Sequence, residues 1–496
     1  MNSLLNVNAD KWVKAIGEWL LLNGFLGLLF LIILGFGCLR LFQPRTKKLL
    51  PPGTYGWPLI GETMRSWKST KPGEFIEKRR EKYHHQIFKT SLFGHKMAVM
   101  CGPAANKFLF SNEKKLVVTW WPRSVQNIFP SSILTDAGAH AHKLVTSFLR
   151  PEALRRYVGL IDGLAQCHFK DEWHGEREVK AFHLIDVYTF MLACRLFAGI
   201  EDNPDCISTL AHEFHLLVRG VLQVPLRLPG TRYHRAMKAA DEIRKVLGNV
   251  VIERRRRAAA SSMQDMMSYL LVTPDDKGRL MTEKEILDNM LLLLFAGHDT
   301  TTSAITLLVK FLAENSQVHD HVFKEQMEIA KCKGEGEGLN WEDIQKMRFS
   351  WNVASEAMRL CPPVGGAFRE AISEFTYAGF TIPKGWKIHW RPYTTHSNPN
   401  CFVDPEKFDP WRFDRDIPGS FTFVPFGGGP RMCPGKELAR LEILVFLHNL
   451  VKRFKWESVF PNKEIELDPM PLLRQGLPIR LQPHLTCPST NNIPAN

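Results

Sequence analysis

The chain has 496 residues, 45% hydrophobic and 23% charged, enough to bury a large core, and its length would permit about three domains. A net charge of +13 raises the question of nucleic acid, but no aromatic-basic interleaving or zinc-ligand spacing accompanies it, so that class is excluded. Ten cysteines without a Cys-x-x-Cys pair or compact framework argue against a disulfide-stapled secreted domain, and they read as reduced; the absence of any Asn-x-Ser/Thr sequon agrees.

From Trp19 to Leu39 the only strongly polar residue is Asn23, and a helix of that length rises roughly 31 Å, about the thickness of a bilayer core. A cleaved signal peptide should have a shorter apolar region ending at small residues, whereas this one runs into Arg40, Arg45, Lys47 and Lys48. Those cations outnumber Lys11 and Lys14, so residues 1–18 are expected in the lumen, 19–39 in the membrane and the rest in the cytosol. After a basic linker at 40–49, the Pro- and Gly-rich run Leu50 to Pro58 reads as a stiff approach to one folded domain at 50–485, followed by a frayed tail at 486–496. Strands are expected at Gln86–Phe93 and Lys96–Met100 around Gly94, and again within Phe375–Trp390 about the Pro383-Lys384-Gly385 turn. Helical spacing covers Pro151–Trp173, Val179–Ala198, Cys206–Leu222, Tyr233–Arg257 and Thr282–Glu314, so the fold class is mainly α with a small β part. The apolar stretch Val224–Pro229 reads either as a membrane-dipping loop or as a plain connection, and Arg254–Arg257 as a solvated face near anionic lipid or an acidic partner. Beyond Pro469 the chain is Pro-rich and aperiodic.

Three groups of residues carry chemistry. Phe426-Gly427-Gly428-Gly429-Pro430-Arg431-Met432-Cys433-Pro434-Gly435 brings a glycine-rich loop to one cysteine with a helix, Lys436–Leu450, behind it. The helix N-terminus favours a negative sulfur, and the reading is a thiolate held against haem iron; the alternative is a buried structural cysteine. In Leu291 to Thr302 an apolar helix abruptly acquires Asp299, Thr300, Thr301 and Thr302 beside Gly297. Buried polar groups need a reason. If dioxygen lies over Ala296 and Gly297, Asp299 and Thr300 relay protons to it; the alternative is hydroxyls bonding back to helix carbonyls. Glu356 and Arg359 share a helix face, and Arg412 in the Phe408 to Phe413 turn supplies a second arginine, an arrangement suited to locking the cysteine loop.

These motifs, in this order, resemble the cytochrome P450 superfamily of haem-thiolate monooxygenases from the anchor to about residue 480. The resemblance implies a cytochrome P450 fold behind an N-terminal transmembrane helix. It implies haem b as cofactor, Cys433 as the axial iron ligand, and Phe426, Gly427, Gly435, Ala296 and Gly297 around the ring. Arg431 and Arg369 would hold the haem propionates, Asp299 and Thr300 would be catalytic, and Glu356, Arg359 and Arg412 structural. Relatives often carry a further propionate arginine four residues after a Trp or His; here His142 is followed by Thr146, so only His142 transfers. NADPH-cytochrome P450 reductase is the implied electron donor and the endoplasmic reticulum membrane the implied location. Phe368-Arg369-Glu370-Ala371, Gly379 to Trp386 and Pro425 to Glu437 look like the plant branch that oxidises triterpenoids, taxane-type diterpenoids and steroids. The implied substrate is a large apolar isoprenoid, with Trp120, Trp121 and Phe129 as candidate contacts. The alternatives are a steroid or brassinosteroid-type hydroxylase, a hydroperoxide-rearranging haem-thiolate enzyme and a non-catalytic haem protein.

Overall fold

The structure, a computed structural model, describes residues 49–57, 61–63, 73–135, 139–200, 204–257, 265–275, 277–334, 336–461, 464–467, 470–473 and 475–484. The expected span at 19–39, the segments beside it up to residue 48 and the tail from 486 lie outside them. The chain divides between Leu49 and Leu50, and the described architecture is that of the second unit.

A mainly helical body carries small sheets. Its principal helices are α1 (Ala139–Phe148), α2 (Val158–His168), α3 (Ala181–Ala193), α4 (Pro204–Val218), α5 (Arg232–Arg257), α6 (Glu283–Glu314), α7 (Arg348–Leu360) and α8 (Lys436–Arg453). The long α6 starts at a capping box, in which Thr282 Oγ1 accepts the Glu285 N–H while the Glu285 carboxylate accepts the Thr282 N–H at 2.8 Å. Most of α6 is buried, including the whole Leu291–Leu294 run. Its apolar length matches a membrane span, as does that of the helical stretch Ala181–Ala198, but both are largely covered by protein and act as core helices.

The main sheet runs in the order β1 (Ile87–Leu92), β2 (His95–Met100), β8 (Lys387–Trp390), β5 (Ala367–Ala371) and β3 (Val117–Thr119). The β1–β2 hairpin turns at Gly94, φ 76°, a left-handed conformation that costs glycine little. The Phe375–Trp390 region resolves into β6 (Phe375–Tyr377), β7 (Phe380–Ile382) and β8.

Two expectations need correction. The periodic stretch 151–173 is broken into a short helix at Pro151–Leu154, a 3-10 turn, α2 and a π-helical turn at Phe169–Trp173, while α3 ends in a second π turn at Cys194–Ala198 before Gly199. The first π turn buries Phe169 and Trp173 together against Phe446, at 5.0 and 6.0 Å between ring centroids. The chain beyond Pro469 is not aperiodic: Pro478–Pro483 forms a strand between Phe454–Ser458 and Glu178–Lys180. Prolines at both its ends read as breakers, yet Ile479 and Leu481 alternate inward and long-range pairing completes the ladder.

Glu356 and Arg359 on α7 and Arg412 are buried together. Arg359 grips Glu356 with two hydrogen bonds, 2.8 and 2.9 Å, and Arg412 adds one of 3.0 Å. The remaining guanidinium donors go to carbonyls of the segment 396–407: Arg359 to His396, Pro405 and Lys407, and Arg412 to Val403, Asp404 and Lys407. His396 then passes the restraint on. Burial, with Arg359 adding to it, pushes its ring down to about 3, so the neutral imidazole accepts the Val424 N–H at 3.0 Å through Nε2, two residues before the loop that carries Cys433. Replacing Glu356 by Ala leaves two buried arginines without their anion and should cost about 3–5 kcal/mol. Chemical denaturation of the purified variant tests this, and a parent-like midpoint would contradict the arrangement.

Candidate active site

The cysteine loop folds on its own backbone. Gly427 donates to the Val424 carbonyl at 3.0 Å, Met432 to Gly429 at 3.1 Å and Cys433 to Phe426 at 3.0 Å. Gly427 at φ 72° makes the turn into a cavity wall. Gly428 serves a different neighbour from the flat ligand expected of these glycines: an added Cβ would come 2.5 Å from the Phe110 ring. The loop delivers Cys433 to the N-terminus of α8.

Cys433 opens onto an internal cavity of about 510 Å³. Its exposure is to that cavity, since the sulfur lies deep in the globule. Burial pushes the thiol above its ordinary value while a hydrogen bond from the Gly435 N–H works the other way. A thiol so placed becomes a thiolate only when a cation joins it, which is what haem iron supplies. The donor set at the rim also fits haem. Arg369, Arg431 and His142 line the same cavity, offering positive and donor groups to propionates. Phe426, Gly427 and Gly435 on the Cys433 side, and Ala296 and Gly297 on α6, line it too. At Gly297 an added Cβ would fall 2.6 Å from Phe197, so the missing side chain admits that ring.

The acid and hydroxyls of α6 diverge. Thr300 lines the cavity, with its hydroxyl donating to the Ala296 carbonyl at 2.6 Å. Thr301 also faces in, whereas Thr302 shares a 2.6 Å hydrogen bond with Thr189 of α3. Asp299 is not among the lining residues. Its carboxyl is pushed up to about 6, by burial first, with nearby His298 limiting the rise, and its Oδ2 is buried without a hydrogen-bond partner. Glu356, Arg359 and Arg412 are not among the lining residues, and His396 links them to the segment before the cysteine loop.

Sequence reading missed three groups. Glu113 is buried behind the rim, 2.6 Å from Arg369 Nε and 3.9 Å from Arg431 Nε; its Asn112-Glu113-Lys114-Lys115 setting looks like any solvated turn. Glu442 on α8 lines the cavity, pushed up to about 8 by burial despite a hydrogen bond with Thr301, so it is mostly neutral at pH 7. His298 hydrogen-bonds Asp186 of α3 at 2.8 Å. Among the proposed substrate contacts, Trp121 and Phe129 line the cavity and Trp120 does not; Trp120 packs edge-on between His95 and Phe368. Phe129 stacks on Phe295 of α6 at 5.6 Å, and the cavity lining is predominantly apolar.

The family model described as Cytochrome P450 matches residues 51–482. A beta-amyrin 28-monooxygenase of Saponaria officinalis is 54% identical over 88% of this chain and 92% of its own. A beta-amyrin 28-monooxygenase of Vitis vinifera is 51% identical over 93% and 99%, and a beta-amyrin 6-beta-monooxygenase of Solanum lycopersicum is 48% identical over 88% and 93%. Among solved structures, retinoic acid-bound cyanobacterial CYP120A1 superposes with a TM-score of 0.81 at 33% identity, covering 88% of this chain and 100% of that one. Cys433→Ser should remove the red-shifted thiolate band of the reduced carbon-monoxide complex while leaving the far-ultraviolet circular dichroism unchanged; persistence of that band would refute Cys433 as ligand.

Proposed function

The chain belongs to the cytochrome P450 family, and we propose that within it this monooxygenase oxidises a β-amyrin-type triterpene at carbon 28. The observation that carries this reading is identity of about half over nearly the full length of several beta-amyrin 28-monooxygenases. The apolar cavity supports it, because such a substrate offers little but hydrocarbon surface. Oxidation at carbon 6 is the second reading, favoured by the tomato relative that acts there.

When bound, haem supplies dioxygen activation at a thiolate-ligated iron. Each turnover joins substrate RH, one dioxygen, two electrons and two protons into ROH and water, and the chain's residues manage position and protons. Cys433 would anchor the cofactor through its sulfur, and Arg369, Arg431 and His142 would hold its carboxylates. Phe129, Phe295 and their apolar neighbours exclude water and press the substrate into one orientation, so placement selects the carbon. Thr300 turns its hydroxyl from the Ala296 carbonyl into the cavity, and Asp299 supplies it with a proton. Electrons come from NADPH-cytochrome P450 reductase. An uncleaved anchor at 19–39 places the enzyme on the endoplasmic reticulum with its domain in the cytosol. Val224, Leu226 and Leu228, all exposed in the α4–α5 connection, support contact with the same membrane.

Membranes carrying this chain and the reductase, given β-amyrin, should yield product oxidised at carbon 28 by mass spectrometry and NMR. Product at carbon 6 would replace this reading with the second, and turnover of sterols or taxanes but not β-amyrin would overturn both. Consumption of NADPH with product excludes hydroperoxide rearrangement. Thr300→Ala should lower product per NADPH by about tenfold or more, with hydrogen peroxide making up the difference; parent-like coupling would remove Thr300 from proton delivery.

A further inference from the structure

Asp299 stands in a cluster with two further side chains, Asp186 and His298, that have no part in the reaction as described. Asp186 on α3 and His298 and Asp299 on α6 hold one donor atom each within 4.8 Å of one another. His298 Nε2 is 2.8 Å from Asp186 Oδ1, and His298 Nδ1 is 3.8 Å from Asp299 Oδ1. Among the described residues, His298 Nδ1 and Asp299 Oδ2 are both buried without hydrogen-bond partners, so ring and acid each keep one orphaned polar atom. The Phe190 ring packs edge-on against the imidazole at 5.1 Å. The His298 side chain is 8% exposed, against 23% for Asp186 and 17% for Asp299, so the imidazole is the covered link between two partly open acids, of which Asp186 is the more open.

We propose that Asp186 and His298 form a relay that reloads Asp299 with protons from solvent, His298 acting as shuttle and Asp186 as its positioning residue. It rests on the role given above to Asp299 and Thr300 and supplies what that role lacks, a source for the second and later protons. The transfer balances. Asp299 gives its proton toward Thr300 and takes one from His298 Nδ1–H, while His298 takes one at Nε2 from the Asp186 side, which solvent recharges, and a flip of the ring restores the starting tautomer for the next proton. Imidazole suits this because it accepts at one nitrogen and releases at the other. The 3.8 Å step is spanned by one water or a small rotation of the acid.

The charged surroundings fit the task. His298 faces Asp186 from α3 and Asp299 from its own helix, and both acids raise its affinity for a proton against the opposing effect of burial. From α4, His215 interacts with both Asp186 and His298, and His212 and Arg219 lie beside it. Asp299 is held near neutrality, at about 6, an acid that both gives and regains a proton near pH 7.

The test uses the full-length, haem-loaded chain in nanodiscs with reductase. Infrared difference spectroscopy would follow the protonated Asp299 carboxyl, assigned by its loss in Asp299→Asn. Since His298 charge lowers the Asp299 midpoint and Asp186 charge raises it, His298→Gln should move that midpoint up and Asp186→Asn should move it down. Both variants should also release more peroxide per NADPH, increasingly so as pH rises from 6 to 8, with product per NADPH reduced by roughly tenfold, less than the ~100-fold cost of losing a proton donor outright. Asp186→Asn preserves shape, so it reports even where His298→Gln folds poorly. Unshifted midpoints together with parent-like coupling across this range would overturn the relay. If Thr300→Ala uncouples and the relay variants do not, the relay alone fails; if Thr300→Ala also couples like the parent, the underlying proton-delivery reading fails first.

Discussion

The fold depends on one carboxylate buried with two guanidiniums. Glu356 has no contact with solvent, and a lone anion there would be prohibitive. Arg359 and Arg412 make it tolerable, and the excess positive charge they bring is spread over backbone carbonyls between His396 and Lys407. A buried ion pair contributes little net stability over an apolar replacement. Its value here is geometric: it fixes where an irregular segment of backbone lies, and through the His396 imidazole it fixes Val424. The loop that follows has few side chains with which to hold itself. Its position is therefore imposed from Glu356 and Arg359 on α7, neither of which lines the cavity.

A second charge cluster works on the opposite principle. Glu113 also binds two arginines, Arg369 and Arg431, but both line the cavity and leave the cluster one positive charge in excess. With one buried acid behind them, the arginines are pre-oriented before any anion arrives, which lowers the ordering cost of binding. Glu356 closes its charges off, whereas Glu113 directs its charges toward a guest. His142, whose proton affinity is lowered by burial and by Arg431, completes the rim as a neutral donor.

Local order made much of this legible. The cysteine loop, the α6 interruption and the Glu356–Arg359 spacing each lie within a dozen residues, so residue types alone point to their chemistry, and the long helices follow from periodicity. What escaped depends on pairing across the chain. Glu113 meets Arg369 because β3 pairs with β5, Thr119 opposite Arg369, and nothing in residues 112–119 announces that register. His396 gains its role only when Arg359 and Val424 converge on it from segments far apart. Pro478–Pro483 becomes a strand because two distant partners accept its hydrogen bonds. His298 was visible beside Asp299, but its partner Asp186 lies 112 residues away on another helix.

The same distinction separates reaction class from selectivity. The groups assigned to cofactor and protons come from two short motifs and a rim of basic residues. The walls proposed to face a substrate are assembled from Trp121, Val125, Phe129, Ile133 and Leu134, Val221 and Leu222, Leu292, Leu293 and Phe295, Val364 to Ala367 and Met470, most of them outside any motif. A methyl group added to any of these walls displaces a rigid polycycle bodily, because such a molecule cannot bend around it, and a shift of about 1 Å changes which carbon meets the reacting centre. Relatives 54% and 48% identical to this chain carry names for different carbons, 28 and 6. If placement in this cavity selects the carbon as proposed, exchanging a few apolar side chains on these walls would move the oxidised position while barely altering overall identity.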